Sequence, residues 1–266
     1  MNEKVTLSTL NRMKREQQPI AMVTAYDAAF ARLAEAAGVE AILVGDSLGM
    51  VVQGHDSTLP VSVDEMVYHT SMVKRGSQWA FIIADMPFMS HGTPSQALDS
   101  AGRLMKEGGA HMVKLEGGHA QVDTVRHLTA RAVPVCAHLG LLPQSIHQLG
   151  GYKVQGRDSH SAEGILRDAL ALQEAGAQML VLECVPELLG KEVSLALEIP
   201  VIGIGAGRGC DGQVLVLHDL LGITQGQAPR FSRDFMAETG SVQQALSAYV
   251  SAVHDRSFPA QEHCFQ

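Results

Sequence analysis

Five short apolar runs of this 266-residue chain close on a side chain that can bind a cation or move a proton. AILVGD ends in Asp46, AFIIAD in Asp85, HMVKLE in Glu116, VPVCAH in His138 and QMLVLE in Glu183. One acidic residue at the end of a run is unremarkable, because strands often stop where the chain meets water. Five in succession, brought into register, would ring one cavity. The fourth run adds Lys114, two residues before Glu116. Strand side chains alternate between faces, so Lys114 and Glu116 share a face and Leu115 takes the other, against a helix layer. A buried lysine is tolerated when it is paired with a carboxylate. A structural ion pair would explain Lys114 and Glu116 alone. It does not explain Asp46, Asp85 and Glu183 as well, because a pair needs only one partner.

Carboxylates converging on one point repel each other and call for a cation. All-oxygen ligation suits Mg²⁺ better than zinc or copper. Magnesium leaves positions for water and substrate, and an α-keto acid could fill two of them with its carboxylate and keto oxygens. Its carbonyl would then be polarised and the neighbouring C–H acidified. The lysine ammonium would pair with the substrate carboxylate, and a remaining carboxylate would remove the proton to give a metal-stabilised enolate. In DSLG, Ser47 offers a hydroxyl and an amide for a carboxylate oxygen, or merely caps the next turn. His138 is either a satisfied core histidine or a contact for substrate or cosubstrate. His55, in GHDST, lies in a polar loop that could form a lid over the mouth. GIGAGRG, residues 203–209, does not match GxGxxG and reads as a tight turn rather than a phosphate loop.

These residues need elements to position them. The apolar runs are Ile20–Tyr26, Ala41–Asp46, Ala80–Asp85, His111–Glu116, Val133–His138, Gln178–Glu183, Pro200–Gly205 and a weaker Val214–Leu217. Helical periodicity fills Ala28–Ala37, Pro94–Glu107 and Ala162–Ala175, each followed by glycine, the expected C-terminal cap. The alternation predicts an α/β fold, a (β/α)8 TIM barrel, in preference to a doubly wound open sheet, since no dinucleotide fingerprint opens the first unit. In such a barrel the ends of the strands carry the active site. Residues 1–266 form a single barrel domain in this reading. Residues 1–18 are an N-terminal helical extension whose helix, Leu7–Glu16, plugs the opposite mouth, and residues 251–266 are a tail expected to be flexible.

Composition narrows the classes. Apolar residues make up 46% and the net charge is −8, so the chain is globular and carries no basic cluster for nucleic acid. No apolar run has the length of a membrane span. The charged start MNEKVTLSTLNRMKREQ lacks a signal-peptide core, which predicts a cytoplasmic protein. Cys136, Cys184, Cys210 and Cys264 form no close pair and read as buried or incidental thiols.

The segments VGDSLGMVVQGHDSTLPVSVDEMVYH, ADMPFMS, HMVKLEGG, AHLGLLPQS, LECVP and GIGAGRGCDGQVLVLHDLLG together resemble the ketopantoate hydroxymethyltransferase family, from about Thr6 to about Tyr249. The resemblance implies a barrel of the phosphoenolpyruvate/pyruvate superfamily type. It implies transfer of a one-carbon unit from 5,10-methylenetetrahydrofolate to 3-methyl-2-oxobutanoate, giving 2-dehydropantoate on the route to pantothenate and coenzyme A. By the same resemblance Asp46 and Asp85 bind one Mg²⁺ per subunit, and Glu116 is a third contact, through water. Asp46, Ser47, Asp85 and Lys114 hold the keto acid, His138 is a pocket position, and Glu183 accepts the proton. A metal-bound water or a second carboxylate is the alternative base. Large homo-oligomers, often decamers, are implied too. The sequence departs from the family chiefly at the two residues after GAG and in the tail Ser251–Gln266. The rival readings are a lyase or mutase acting on a magnesium-bound keto acid without folate, and a non-catalytic barrel whose ring is a set of ion pairs.

Overall fold

Eight parallel strands close on themselves in sequence order in the computed structural model, which describes residues 3–224, 226 and 228–266. They are β1 Ile20–Thr24, β2 Ala41–Val44, β3 Phe81–Asp85, β4 Met112–Glu116, β5 Val135–Gly140, β6 Met179–Glu183, β7 Val201–Ile204 and β8 Gly212–Leu215. β8 returns to β1 with Val214 beside Met22, so the predicted barrel is the observed one. Both faces of these strands are covered, which is why they read as continuous apolar runs rather than alternating ones. Val23, Ile42, Ile82 and Leu115 point outward into the layer shared with the helices. Met22, Leu43, Ile83 and Val181 point inward and fill the barrel.

Local signals set most boundaries. Asp27 accepts from the amides of Ala29 and Phe30 to open the helix Ala28–Ala37, and Gly38 closes it in the left-handed region at φ 98°. The helix expected over Ala162–Ala175 is Ser159–Glu174, because Asp158 accepts from the Ser161 amide and starts it earlier. β8 begins at Gly212, two residues before the expected start. There Gly212 faces Ile20, and a Cβ would lie 2.4 Å from the Ile20 carbonyl oxygen, so this register excludes any side chain.

The helix Leu7–Arg15 closes the N-terminal mouth as expected. Leu10 and Met13, three apart on one face, join the inner barrel cluster. Lys14 Nζ holds it there at 2.6 Å from Asp211 Oδ2 and 2.9 Å from the Ser194 carbonyl. The tail read as flexible is instead docked on the barrel. The helix Val242–His254 lays Tyr249 against β1 and β8, its hydroxyl 2.7 Å from the Met22 carbonyl. Phe258 then packs edge-on against Tyr249 and Phe235, and Phe265 pairs with Pro186. Aromatic burial of this kind offsets the entropy of ordering a terminal segment. No helix among the described residues is long and apolar enough to cross a membrane.

Candidate active site

The C-terminal ends of the strands open into a cavity of about 550 Å³. Asp46, Ser47, Asp85, Lys114, Glu116, His138 and Glu183 all line it, so the structure brings every residue of the expected ring to one place. Asp46 and Ser47 stand just beyond β2, which ends at Val44. Gly45 makes that turn workable: a Cβ there would lie 2.7 Å from the Ser47 hydroxyl. His55 sits exposed in its loop outside the cavity wall, which Thr58 of the same loop joins. The segment 203–209 ends β7 and enters the turn toward β8, with Gly205 and Gly207 at φ 64° and 80°.

Lys114 and Glu116 point inward as the alternation predicted, while Leu115 packs outward. Lys114 Nζ lies 3.0 Å from Asp85 Oδ1 as an ion pair and 3.2 Å from His138 Nδ1. His138 Nδ1 is also 3.4 Å from Glu116 Oε1, and its Nε2 is 3.2 Å from Glu183 Oε2. His138 and Glu183 can approach because Gly140, at φ 89°, lets β5 close onto β6. A Cβ at that position would fall 2.1 Å from the Glu183 carbonyl oxygen.

The charges are deeply buried and they shift one another. Burial, then the charges of Asp85 and Glu116, push the Asp46 carboxyl well above the usual carboxylate range, against the weaker pull of Lys114 and Gln144. Burial disfavours the Lys114 ammonium, but Asp85, Glu116 and Asp46 outweigh it and raise the group above an ordinary lysine. Burial would raise Glu116, yet His138, Lys114 and the Gln144 amide hold it low. Burial and Lys114 press His138 downward, and the two flanking glutamates lift it above an ordinary imidazole.

Among the described residues no three His, Cys, Asp or Glu side chains meet as a closed metal-ligand set. Two features nevertheless suit a cation. Asp85 Oδ1 and Glu116 Oε1 are buried with only the Lys114 and His138 nitrogens beside them, and the Asp46 carboxylate is disfavoured by those same two neighbours. Three buried carboxylates against one lysine and one imidazole match a hard divalent ion that keeps some ligands for water and substrate.

The sequence reading passed over three residues. Gln144 is buried and bonds to two ring carboxylates. Tyr26 places its hydroxyl 2.9 Å from the Ser47 hydroxyl. His91 is buried, with burial and then the Glu116 carboxylate acting on it in opposite senses and burial prevailing to lower it. Tyr26 carried a signal as the polar end of the first apolar run, and Gln144 lies within the segment AHLGLLPQS.

Solved structures similar to this one share its architecture. A 2,3-dimethylmalate lyase of the PEP mutase/isocitrate lyase superfamily superposes with a TM-score of 0.59 at 19% identity, over 79% of this chain and 80% of that one. A phosphoenolpyruvate phosphomutase from Streptomyces platensis subsp. rosaceus gives 0.61 at 15% identity, over 81% and 82%. At such identities the likeness shows the fold alone: a TIM barrel.

Sequence relatives are far nearer. The 3-methyl-2-oxobutanoate hydroxymethyltransferase of Nitrosococcus oceani is 61% identical over 97% of this chain and 98% of its own length. That of Halorhodospira halophila is 58% identical over 98% and 95%. The family model described as ketopantoate hydroxymethyltransferase matches residues 4–261. With the match running from before the plug helix to the docked tail, and with the ring assembled at the strand ends, this chain belongs to the ketopantoate hydroxymethyltransferase family.

Proposed function

We propose that this chain transfers a hydroxymethyl group from 5,10-methylenetetrahydrofolate to 3-methyl-2-oxobutanoate, giving 2-dehydropantoate, in the cytoplasm and as a homo-oligomer. The observation that carries the reading is the meeting of Asp46, Asp85, Lys114, Glu116, His138 and Glu183 on one cavity wall in a member of this family. Asp46 and Asp85 are the residues to hold Mg²⁺, with Glu116 a further contact through water. Bound there, the ion supplies polarisation of the keto acid carbonyl, which acidifies the C3–H bond.

The chain's own residues account for the remaining steps. Lys114, kept charged by Asp85, Glu116 and Asp46, meets the substrate carboxylate. The Ser47 hydroxyl, steadied by Tyr26, takes a second position on that carboxylate. Glu183 removes the C3 proton. Its side chain is 14% exposed, against 4% for Asp85 and Glu116, so it is the ring carboxylate most open to substrate. His138 fixes its orientation from 3.2 Å. The C3–H electron pair becomes that of the enolate. Water adds to the methylene carbon of the opened folate, the bond from that carbon to N5 breaks with tetrahydrofolate as the leaving group, and the enolate attacks the formaldehyde so released, whose oxygen takes up a proton to become the product hydroxyl. Holding the two carbons at attacking distance contributes the rest of the acceleration. Leu188 and Leu195, seven residues apart on the helix Glu187–Ala196 and 82% and 77% exposed, supply apolar surface for assembly with other copies.

Proton NMR of 3-methyl-2-oxobutanoate in D₂O, with the chain and Mg²⁺, tests the reading. The expected result is loss of the C3 proton signal, with new hydroxymethyl peaks once methylenetetrahydrofolate is added. Neither change, in folded and metal-loaded protein, would overturn it in favour of a lyase or mutase.

A further inference from the structure

Resting on the metal reading above, the geometry points to Gln144 as the residue that positions the carboxylate ring for the cation. Gln144 lies in the short turn after β5 and is 7% exposed. Its backbone amide donates to Glu116 Oε2 at 3.0 Å. Its side-chain amide donates to Asp46 Oδ2 at 2.8 Å and to the Met86 carbonyl at 2.9 Å. Asp46 follows β2, Met86 follows Asp85 at the end of β3, and Glu116 ends β4, so one residue ties three neighbouring strand ends together.

The chemistry of an amide suits this task. It gives two N–H donors without adding charge, so it holds the Asp46 carboxylate in place without competing for the cation's position. By holding Asp46 Oδ2, it fixes the rotation of that carboxylate. The main-chain bond to Glu116 survives any substitution except proline, so exchanging the side chain isolates the arm that reaches Asp46. Hydrogen-bond partners of ligating carboxylates orient them, and losing one costs roughly 10- to 100-fold in metal affinity. Gln144 is therefore a positioning residue and not a catalytic one.

The test is calorimetric titration of MgCl₂ into the metal-free chain, comparing wild type with Gln144→Met and Gln144→Asn. Methionine keeps the length and loses both donors; asparagine keeps the donors but is one methylene too short to span Asp46 and Met86. The expected result is a Mg²⁺ dissociation constant raised roughly 10- to 100-fold in Gln144→Met, with a smaller rise in Gln144→Asn. Turnover by Gln144→Met should recover at saturating Mg²⁺, which a merely structural lesion would not allow. Wild-type Mg²⁺ affinity in a folded Gln144→Met would overturn the role of Gln144 alone. If the methionine variant does not fold, the same result in Gln144→Asn decides against it. A wild-type chain that bound no Mg²⁺ would overturn the metal reading and this role with it.

Discussion

Lys114 and Asp85 are register partners on β4 and β3, and their charged groups meet at 3.0 Å inside the barrel mouth. Each side chain is 4% exposed, so neither charge has water to fall back on. The pair serves the site and the fold together, and removing one partner strands the other.

Asp85→Ala should accordingly weaken Mg²⁺ and keto-acid binding together, read by calorimetry. It should also destabilise the chain by roughly 3–5 kcal/mol in a denaturant titration, the usual cost of an orphaned buried charge. Unchanged Mg²⁺ affinity would remove Asp85 from the ligand set.

Glu183→Gln should bind the keto acid as wild type does and lose proton removal. The C3 signal would then persist in D₂O, and turnover would fall by about 10²- to 10⁴-fold, the range of a positioned general base. Near wild-type exchange would move the role to a water or to another ring carboxylate.

Away from the cavity, Glu35 supports the loop that leads into β3. Its carboxylate accepts from the Ser77 hydroxyl at 2.7 Å and from the amides of Gln78, Trp79 and Ala80 at 2.8, 2.7 and 2.8 Å. Burial pulls the group upward, but these donors outweigh it and set it below the ordinary value of 4.5. A carboxyl lowered on folding stabilises the native state fully above its unfolded pKa and loses that contribution as pH falls through the folded one. Wild-type stability should therefore decline below about pH 4.5. Glu35→Gln, about 1–3 kcal/mol less stable at neutral pH because amides lose a charged acceptor, should show a flatter profile there. Parallel wild-type and variant profiles over that window would show that Glu35 does not titrate this contact.

The barrel and most of its site were legible because two periodicities carried the information. Runs buried on both faces marked the strands, and polar residues closing those runs marked the mouth. Lys114 and Glu116 could be assigned a face from alternation alone. Gln144 could not be found in this way. It stands outside any strand, in a turn whose composition resembles other turns, and its partners are 28 and 98 residues away. Nothing local encodes contacts at that separation. The docked tail was missed for a similar reason: Phe258 and Phe265 carry no periodicity, and their burial depends on surfaces built by Tyr249, Phe235 and Pro186.

The inward side chains that fill the barrel, backed by the plug of Leu10 and Met13, give it a closed base, so the cavity is a blind well rather than a passage. Molecules that share such a well must queue. The carboxylates and the lysine lie on its inner wall, so under the proposed reaction the keto acid would settle before the bulkier folate covers it, and the product would leave only after the spent folate had withdrawn. The order of arrival and departure would thus be set by a closed base on the far side of the barrel from the reacting carbons.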